Sequence, residues 1–396
     1  MTEPSQTPRT VTVLGSTGSI GNSTLDVIDH NHEQFRVVAL VANSNVELLA
    51  KQAIACGAEL AVTADESKKE ELAALLQGTS VEVAAGAQAV LDAARRPADL
   101  TLAAIVGAAG LEPTLAAAEQ GNIIALANKE CLVCAGDVFL NALQKSGAEL
   151  LPVDSEHSAV YQVFEKSQEA QVEKVILTAS GGPFRTTAKE ELATVTPEQA
   201  LNHPNWDMGP KITIDSSTLM NKGLELIEAF YLFPVSANQL DAVIHPQSIV
   251  HSMVTYKDGS VLAQLGEPDM RTPIAYALGW PNRISTPVKR LDLTDLGQLT
   301  FEAIDSSKFP AVSLCLGCLE RGGSATTVMN AANEIAVSSF LRNKIRYLQI
   351  TNLIDETLNA AEKNGMIAQL ETLEDVSEAD RYGRQKASEL ARNLQM

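Results

Sequence analysis

Positive charge is in short supply: 30 Lys and Arg stand against 49 Asp and Glu, a net charge of −19. A field of that sign repels phosphate polymers and anionic lipid surfaces, which excludes a general nucleic-acid or membrane-surface binder. A phosphorylated small molecule would need a local cationic pocket. Long apolar runs are missing too, and no stretch approaches the roughly 20 residues of a membrane span. The amino terminus, MTEPSQTPRT, lacks the apolar core of a signal peptide, so a cytoplasmic protein is expected. Cysteine is scarce, and five is an odd number, which argues against a disulfide framework. Cys131/Cys134 and Cys315/Cys318 fit the C-x-x-C spacing of a zinc or redox site. The second pair lies in VSLCLGCLE at helical spacing, and buried structural cysteines are the preferred reading of both.

What is present is a chain of 396 residues, enough for two or three domains. Up to about residue 150, β-rich runs alternate with amphipathic segments: VTVLG, RVVALVA, LAVTA, VEVAAG, LTLAAIVG and NIIALAN. This alternation predicts an α/β fold, a Rossmann-like parallel sheet covered on both faces, with its ligand crevice at the carboxyl ends of the strands. The texture then changes. VEKVILTASG, KITIDSST, LDAVIHPQSIVHSMVTY and SVLAQLG read as strands of a second, partly antiparallel sheet in a central α+β domain, with KDGS as a turn. The expected boundaries are 1–151 for the first domain, 152–280 for the second, 281–311 for a linker and 312–396 for a helical bundle. A long segment at about 181–210, rich in Gly, Pro, Asn and Thr and carrying Trp206, reads as a lid.

Gly15, Gly18 and Gly21 in VTVLGSTGSIG follow one strand, open a helix and precede a second strand about 20 residues on. That context suits a dinucleotide pyrophosphate, with Ser16, Thr17 and Ser19 as hydroxyl donors, although a tight turn that binds nothing has the same pattern. At the end of the second strand stand Asn43, Ser44 and Asn45, without the Asp or Glu that holds the ribose hydroxyls of NAD. NADPH is therefore favoured over NADH.

Asp154 and Glu156 follow LLPV, and in an extended segment they would project to one side, as two hard ligands for Mg²⁺ or Mn²⁺. Glu225 supplies a third carboxylate early in a helical run, where it could instead simply complement the macrodipole. Lys222 beside Asn221 and Ser216 would make a phosphate clamp. Lys129 and Glu130 stand at the carboxyl end of the last strand of the first domain. His203, His245 and His251 each read individually as hydrogen-bonded structural residues.

Taken together, GSTGSIG (15–21), AAIVGAAGL (103–111), LANKE (126–130), PVDSEH (152–157), SGGPFR (180–185), HPNWDMG (203–209), MNKGLE (220–225), IHPQSIVHSMV (244–254), GEPDMRTPIA (266–275) and NAANEIAV (330–337) resemble the 1-deoxy-D-xylulose 5-phosphate reductoisomerase family, end to end. The resemblance implies NADPH- and metal-dependent rearrangement and reduction of a sugar phosphate by a homodimer. It implies Asp154, Glu156 and Glu225 as metal ligands, and Lys129, Glu156 and His203 as catalytic groups. Ser155, Glu156, Ser180, His203, Trp206, Ser216, Asn221, Lys222 and Glu225 would meet substrate. Thr17, Gly18, Ser19, Ile20, Ser44, Asn45, Asn128, Glu130, Gly209 and Met270 would meet the cofactor. In one respect the chain departs from the family pattern: many members carry Gly-Lys-Asn where Asn43, Ser44 and Asn45 stand, so the usual lysine against the 2′-phosphate is absent.

Overall fold

Up to residue 152 the β-rich runs read from the sequence are strands, and the segments between them are mostly helices. A computed structural model describes residues 7–203 and 209–394. The order is β1 (Arg9–Leu14), α1 (Ser19–His30), β2 (Phe35–Ala42), α2 (Val46–Cys56), β3 (Leu60–Thr63), α3 (Lys69–Leu75), β4 (Glu82–Ala85), α4 (Ala87–Arg95), β5 (Leu100–Ala103), α5 (Leu111–Ala118), β6 (Ile123–Leu126), α6 (Glu130–Ser146) and β7 (Glu149–Pro152). The strands form a seven-stranded sheet in the order β4-β3-β2-β1-β5-β6-β7, parallel throughout. Val11, Val13, Leu40, Leu100, Leu102 and Ile124 are sealed from solvent, as a sheet covered on both faces requires. Strand order reverses between β1 and β5, and the carboxyl end of such a reversal is where α/β sheets open a crevice.

The chain continues through α7 (Ser155–Val163), β8 (Val172–Ala179), α8 (Pro197–Ala200), α9 (Pro210–Ser217), α10 (Met220–Leu232), β9 (Leu240–Ile244), β10 (Val250–Tyr256), β11 (Val261–Leu265), α11 (Arg271–Gly279), α12 (Leu293–Leu296), β12 (Glu302–Ala303), α13 (Ala311–Arg321), α14 (Ala325–Leu341), α15 (Gln349–Lys363) and α16 (Leu373–Asn393). The second sheet runs β11-β10-β8-β9-β12 and is mixed: β8 pairs parallel with β9, whereas β10 is antiparallel to both β8 and β11. Val175, Leu177, Leu226 and Val254 join sheet and α10 in one core. α14 packs against both α15 and α16 as a helical bundle.

The expectation of a strand at KITIDSST is corrected. Those residues fall in α9 and its C-cap, with Pro210 at the helix start, a position its missing N–H suits, and with Thr213, Ile214, Asp215 and Ser217 buried. Alternation of Ile212 and Ile214 over so few residues does not separate the two periods.

Contacts divide the chain into two compact units. The first holds the chain through Cys131, Phe139–Ser158 and Glu267–Arg290; the second holds Leu132–Val138, Ala159–Gly266 and the chain from Leu291. The stretch 267–290 thus differs from the sequence expectation, which divided it between the central domain and a linker. Its physical reason is local: α11 packs on α1, Arg271 pairs with Asp26 of that helix at 2.7 Å, Arg9 donates to the Leu278 carbonyl at 2.7 Å, and Asn31 donates to that of Ser285 at 3.0 Å.

Candidate active site

In the first unit, β1 delivers the glycine turn to the strand-order reversal. Gly15 has φ of +91°, and a Cβ there would lie 2.6 Å from the Ala104 carbonyl oxygen, in the connection after β5. A Cβ on Gly21 would lie 2.3 Å from the Ser16 oxygen and 2.4 Å from that of Gly15. Backbone is packed directly on backbone at both positions. Gly18, by contrast, has φ of −75° and only an ordinary contact; it is the N-cap of α1 and, as a glycine, brings no side chain to cap that helix. The first-turn N–H groups, which have no intrahelical partners, are therefore presented between half-buried Thr17, exposed Ser19 and half-buried Ile20. The Ser16 hydroxyl is buried without a hydrogen-bond partner. An uncapped helix start over a tight turn fits a pyrophosphate.

At the end of β2, Asn43, Ser44 and Asn45 are exposed, and the Asn45 Oδ1 accepts the Leu48 N–H at 3.2 Å as the cap of α2. Asn128 is buried, and its amide donates to the carbonyls of Ile105 at 2.6 Å and Gly107 at 3.0 Å, while its Oδ1 accepts the Glu130 N–H at 3.0 Å. It thereby ties the loop after β5 to the start of α6. Gly110, not singled out from sequence, is the counterpart: a Cβ there would sit 2.2 Å from the Asn128 amide. Met270 precedes α11, beside the Asp269–Arg271 pair.

Lys129 places its ammonium 2.7 Å from Asp154 Oδ2, with both side chains largely withdrawn from solvent. Burial opposes ionisation of Asp154, but Lys129, with help from His157 and a hydrogen bond involving Glu156, holds the carboxyl well below the usual range. The extended geometry expected for Asp154 and Glu156 is corrected: α7 begins at Ser155, the Ser158 N–H bonds the Asp154 carbonyl at 2.8 Å, and Glu156 stands in the first helical turn. The Ser155 hydroxyl donates to the Glu156 carboxylate. Negative charge collects where the macrodipole favours it.

In the second unit, α10 carries Asn221, Lys222 and Glu225 on one helical face, and both the Asn221 amide and the Lys222 ammonium donate to the Glu225 carboxylate. The Lys222 and Glu225 side chains are 3% and 1% exposed. Glu225 is thus far from a simple surface complement to the macrodipole; it is a buried charge whose desolvation is offset by its partners. Nearby in sequence, the Ser180 hydroxyl lies 3.1 Å from His203 Nε2, joining two residues singled out for substrate. Burial holds His203 below its ordinary pKa, which favours the neutral ring. Gly182, at φ of +64°, lets the SGGPFR segment approach α9, since a Cβ there would be 2.8 Å from the Ser216 carbonyl oxygen. Gly209 is the N-cap of α9 and accepts the Thr213 N–H at 3.1 Å. Trp206 lies outside the described residues.

His245 is structural: Nδ1 meets the Thr300 carbonyl at 2.8 Å, and Nε2 accepts the N–H groups of Ile249 and Val250. Cys131, Cys134, Cys315 and Cys318 are buried, and none of the five cysteines is in a disulfide. Burial pushes the Cys318 thiol up to about 12, which makes it inert.

Three family profiles cover the chain in succession: 1-deoxy-D-xylulose 5-phosphate reductoisomerase over residues 11–136, its C-terminal domain over 150–233, and a DXP reductoisomerase C-terminal domain over 265–386. A Rhodospirillum centenum protein named 1-deoxy-D-xylulose 5-phosphate reductoisomerase is 55% identical over 96% of this chain and 94% of its own length. The Zymomonas mobilis reductoisomerase, solved in complex with NADPH, superposes with a TM-score of 0.92 at 51% identity, covering 98% of this chain and 99% of that one. A reductoisomerase solved with NADPH, fosmidomycin and magnesium gives 0.93 at 40% identity, with coverage of 98% and 99%. Identity of this level, sustained through the glycine turn, both sheets and the helical bundle, makes the chain a member of the 1-deoxy-D-xylulose 5-phosphate reductoisomerase family.

Proposed function

We infer that the protein converts 1-deoxy-D-xylulose 5-phosphate to 2-C-methyl-D-erythritol 4-phosphate, by rearrangement and NADPH-dependent reduction with a divalent metal, in the non-mevalonate route to isoprenoids. The observation that carries this reading is the end-to-end match to reductoisomerases, two of them solved with NADPH. NADPH supplies the hydride, and Mg²⁺ or Mn²⁺ supplies Lewis-acid polarisation of the substrate oxygens. The chain supplies placement. Thr17, Gly18, Ser19 and Ile20 would bind the pyrophosphate side, Ser44 and Asn45 the 2′-phosphate, and Asn128, Glu130, Gly209 and Met270 the remainder of the cofactor. Asp154, Glu156 and Glu225 would be the metal ligands, a hard oxygen set that suits these ions. Ionisation of Asp154 below its usual range supports that role.

Ser180, Ser216, Asn221 and Lys222 would hold the substrate phosphate, whose binding energy is available to orient the reacting carbons. Ser155, His203 and Trp206 would contact the remainder, and Lys129 would meet substrate hydroxyls. The segment 181–210 would close over the site and keep out water. A homodimer is proposed on the strength of β11, an edge strand that exposes Val261, Leu262 and Leu265. All five cysteines are thiols, which supports a reducing, cytoplasmic location.

The test is loss of reduced-nicotinamide absorbance with 1-deoxy-D-xylulose 5-phosphate, with Mg²⁺, Mn²⁺ or chelator, and with NADPH or NADH. Metal-dependent oxidation favouring NADPH is expected. Folded protein that oxidises neither cofactor overturns the activity, whereas equal use of NADH overturns only the cofactor preference.

A further inference from the structure

Ser216 sits in α9 between two residues that the carboxy-terminal helices grip. On one side Asp215, 1% exposed, accepts the Asn333 amide of α14 at 3.0 Å and pairs with Lys211 at 2.8 Å. On the other, Tyr347, just before α15, donates its hydroxyl to the Ser217 carbonyl at 2.6 Å. Ser217 is the last residue of α9, where carbonyls have no intrahelical partners, so this bond satisfies a group the helix itself leaves open. The ring of Tyr347 also meets Phe184 edge-on, with centroids 5.2 Å apart at 76°. Phe184 belongs to the SGGPFR segment that begins with Ser180, so one tyrosine touches both segments that carry a serine assigned to the substrate phosphate. A hollow of about 240 Å³, lined by Thr218, Tyr347, Lys308, Phe309 and Thr351 among others, lies against this end of α9.

We propose that Tyr347 and Asn333 are positioning residues for phosphate recognition: they hold Ser216 from both flanks and, through Phe184, set Ser180 in register with it. The inference rests on the reading of Ser180, Ser216, Asn221 and Lys222 as the phosphate site. Neither residue touches the phosphate; each acts through backbone or side chains next to a serine that does. Burial raises the Tyr347 phenol, so it stays a donor at every working pH. Holding a hydroxyl within a few tenths of an ångström is what a preorganised anion site requires, and its loss appears in binding more than in turnover.

Tyr347→Phe keeps the ring and its contact with Phe184 but removes the bond to Ser217, and Asn333→Ser removes the tie to Asp215. Titration calorimetry with inorganic phosphate, NADPH titration by fluorescence, and steady-state kinetics are measured for both variants and the parent. Expected is a rise of about tenfold in the phosphate Kd and in KM for the sugar phosphate, the equivalent of one hydrogen bond, with kcat within twofold and NADPH affinity unchanged. Parental phosphate affinity in both variants overturns the inference, as does a parallel loss of phosphate and NADPH affinity, the mark of general loosening. A parent protein that binds NADPH but no phosphate overturns the phosphate-site assignment itself, and the inference with it.

Discussion

The turn at Gly15–Gly21 and the start of α10 at Asn221–Glu225 are both placed to manage negative charge, with different materials. In the first unit the material is backbone: two positions where no Cβ fits and a helix start left without a side-chain cap. In the second it is side-chain charge, the buried pair of Lys222 on Glu225 and half-buried Lys211 on buried Asp215, in helices whose register decides which groups meet. A backbone site tolerates any side chain that leaves room, and fails on a single methyl. A charged site tolerates changes of shape but fails when one partner is left without its opposite.

The largest test of that contrast is Glu225→Gln. Loss of a carboxylate proposed as a metal ligand should reduce kcat/KM by about 10³-fold, since metal polarisation is worth several kcal/mol. The melting temperature should fall as well, because Lys222 loses its counter-charge. Glu225→Asp, measured in the same scan, should recover the melting temperature and leave turnover low; parental turnover in folded Glu225→Gln would show that the carboxylate serves folding alone. Next in size is Gly21→Ala, whose methyl meets two carbonyl oxygens. A shift of about 1–3 kcal/mol predicts NADPH binding weaker by roughly ten- to a hundredfold in a fluorescence titration, with phosphate binding intact. If phosphate binding fell equally, the two units would not be separate in function.

Ser44→Lys sharpens the comparison by adding a side-chain charge to the backbone site. The NADPH Kd should fall about threefold and that of NADH should not change, because an exposed pair contributes under about 1 kcal/mol. The smallest effect is expected at Asp99, which joins the amino ends of β1 and β5 by accepting the Thr10 N–H at 2.8 Å and hydroxyl at 2.7 Å. These bonds hold its carboxyl below the usual value. Its stabilisation is therefore present above the unfolded pKa, near 4, and lost as pH falls through the lower folded value. Asp99→Ala should cost about 0.5 kcal/mol at pH 7 after solvent screening, and denaturant titrations of variant and parent should converge in acid.

The same contrast explains what the sequence discloses. The first sheet and its turn are legible because β-rich runs and glycine spacing are local signals, each contained in one βαβ unit. Asn128 shows the limit: only the fold reveals that its amide holds the loop after β5, since Ile105 and Gly107 lie more than twenty positions upstream. The second unit hides more. KITIDSST alternates like a strand yet is mostly helical, and Asp154 and Glu156 read as extended although α7 begins between them. The ties from Asn333 to Asp215 and from Tyr347 to Ser217 carry no local signature, because they span 118 and 130 residues of sequence. Trp206, carrying the lid reading, falls outside the described residues.

The first unit is assembled from three separate stretches of chain, and this sets an order of events during synthesis. A ribosome that has released β1 through β7 has not yet made α11, the helix that lies on α1 and buries Ile274, Ala277 and Leu278. Roughly ten seconds of elongation separate the end of β7 from the start of α11 at about 5–20 residues per second. Throughout that interval the nascent dinucleotide unit carries an uncovered apolar stripe, and any fragment cut near residue 152 carries it permanently. A fragment that ends near residue 152 is therefore expected to be less soluble than one that extends through α11.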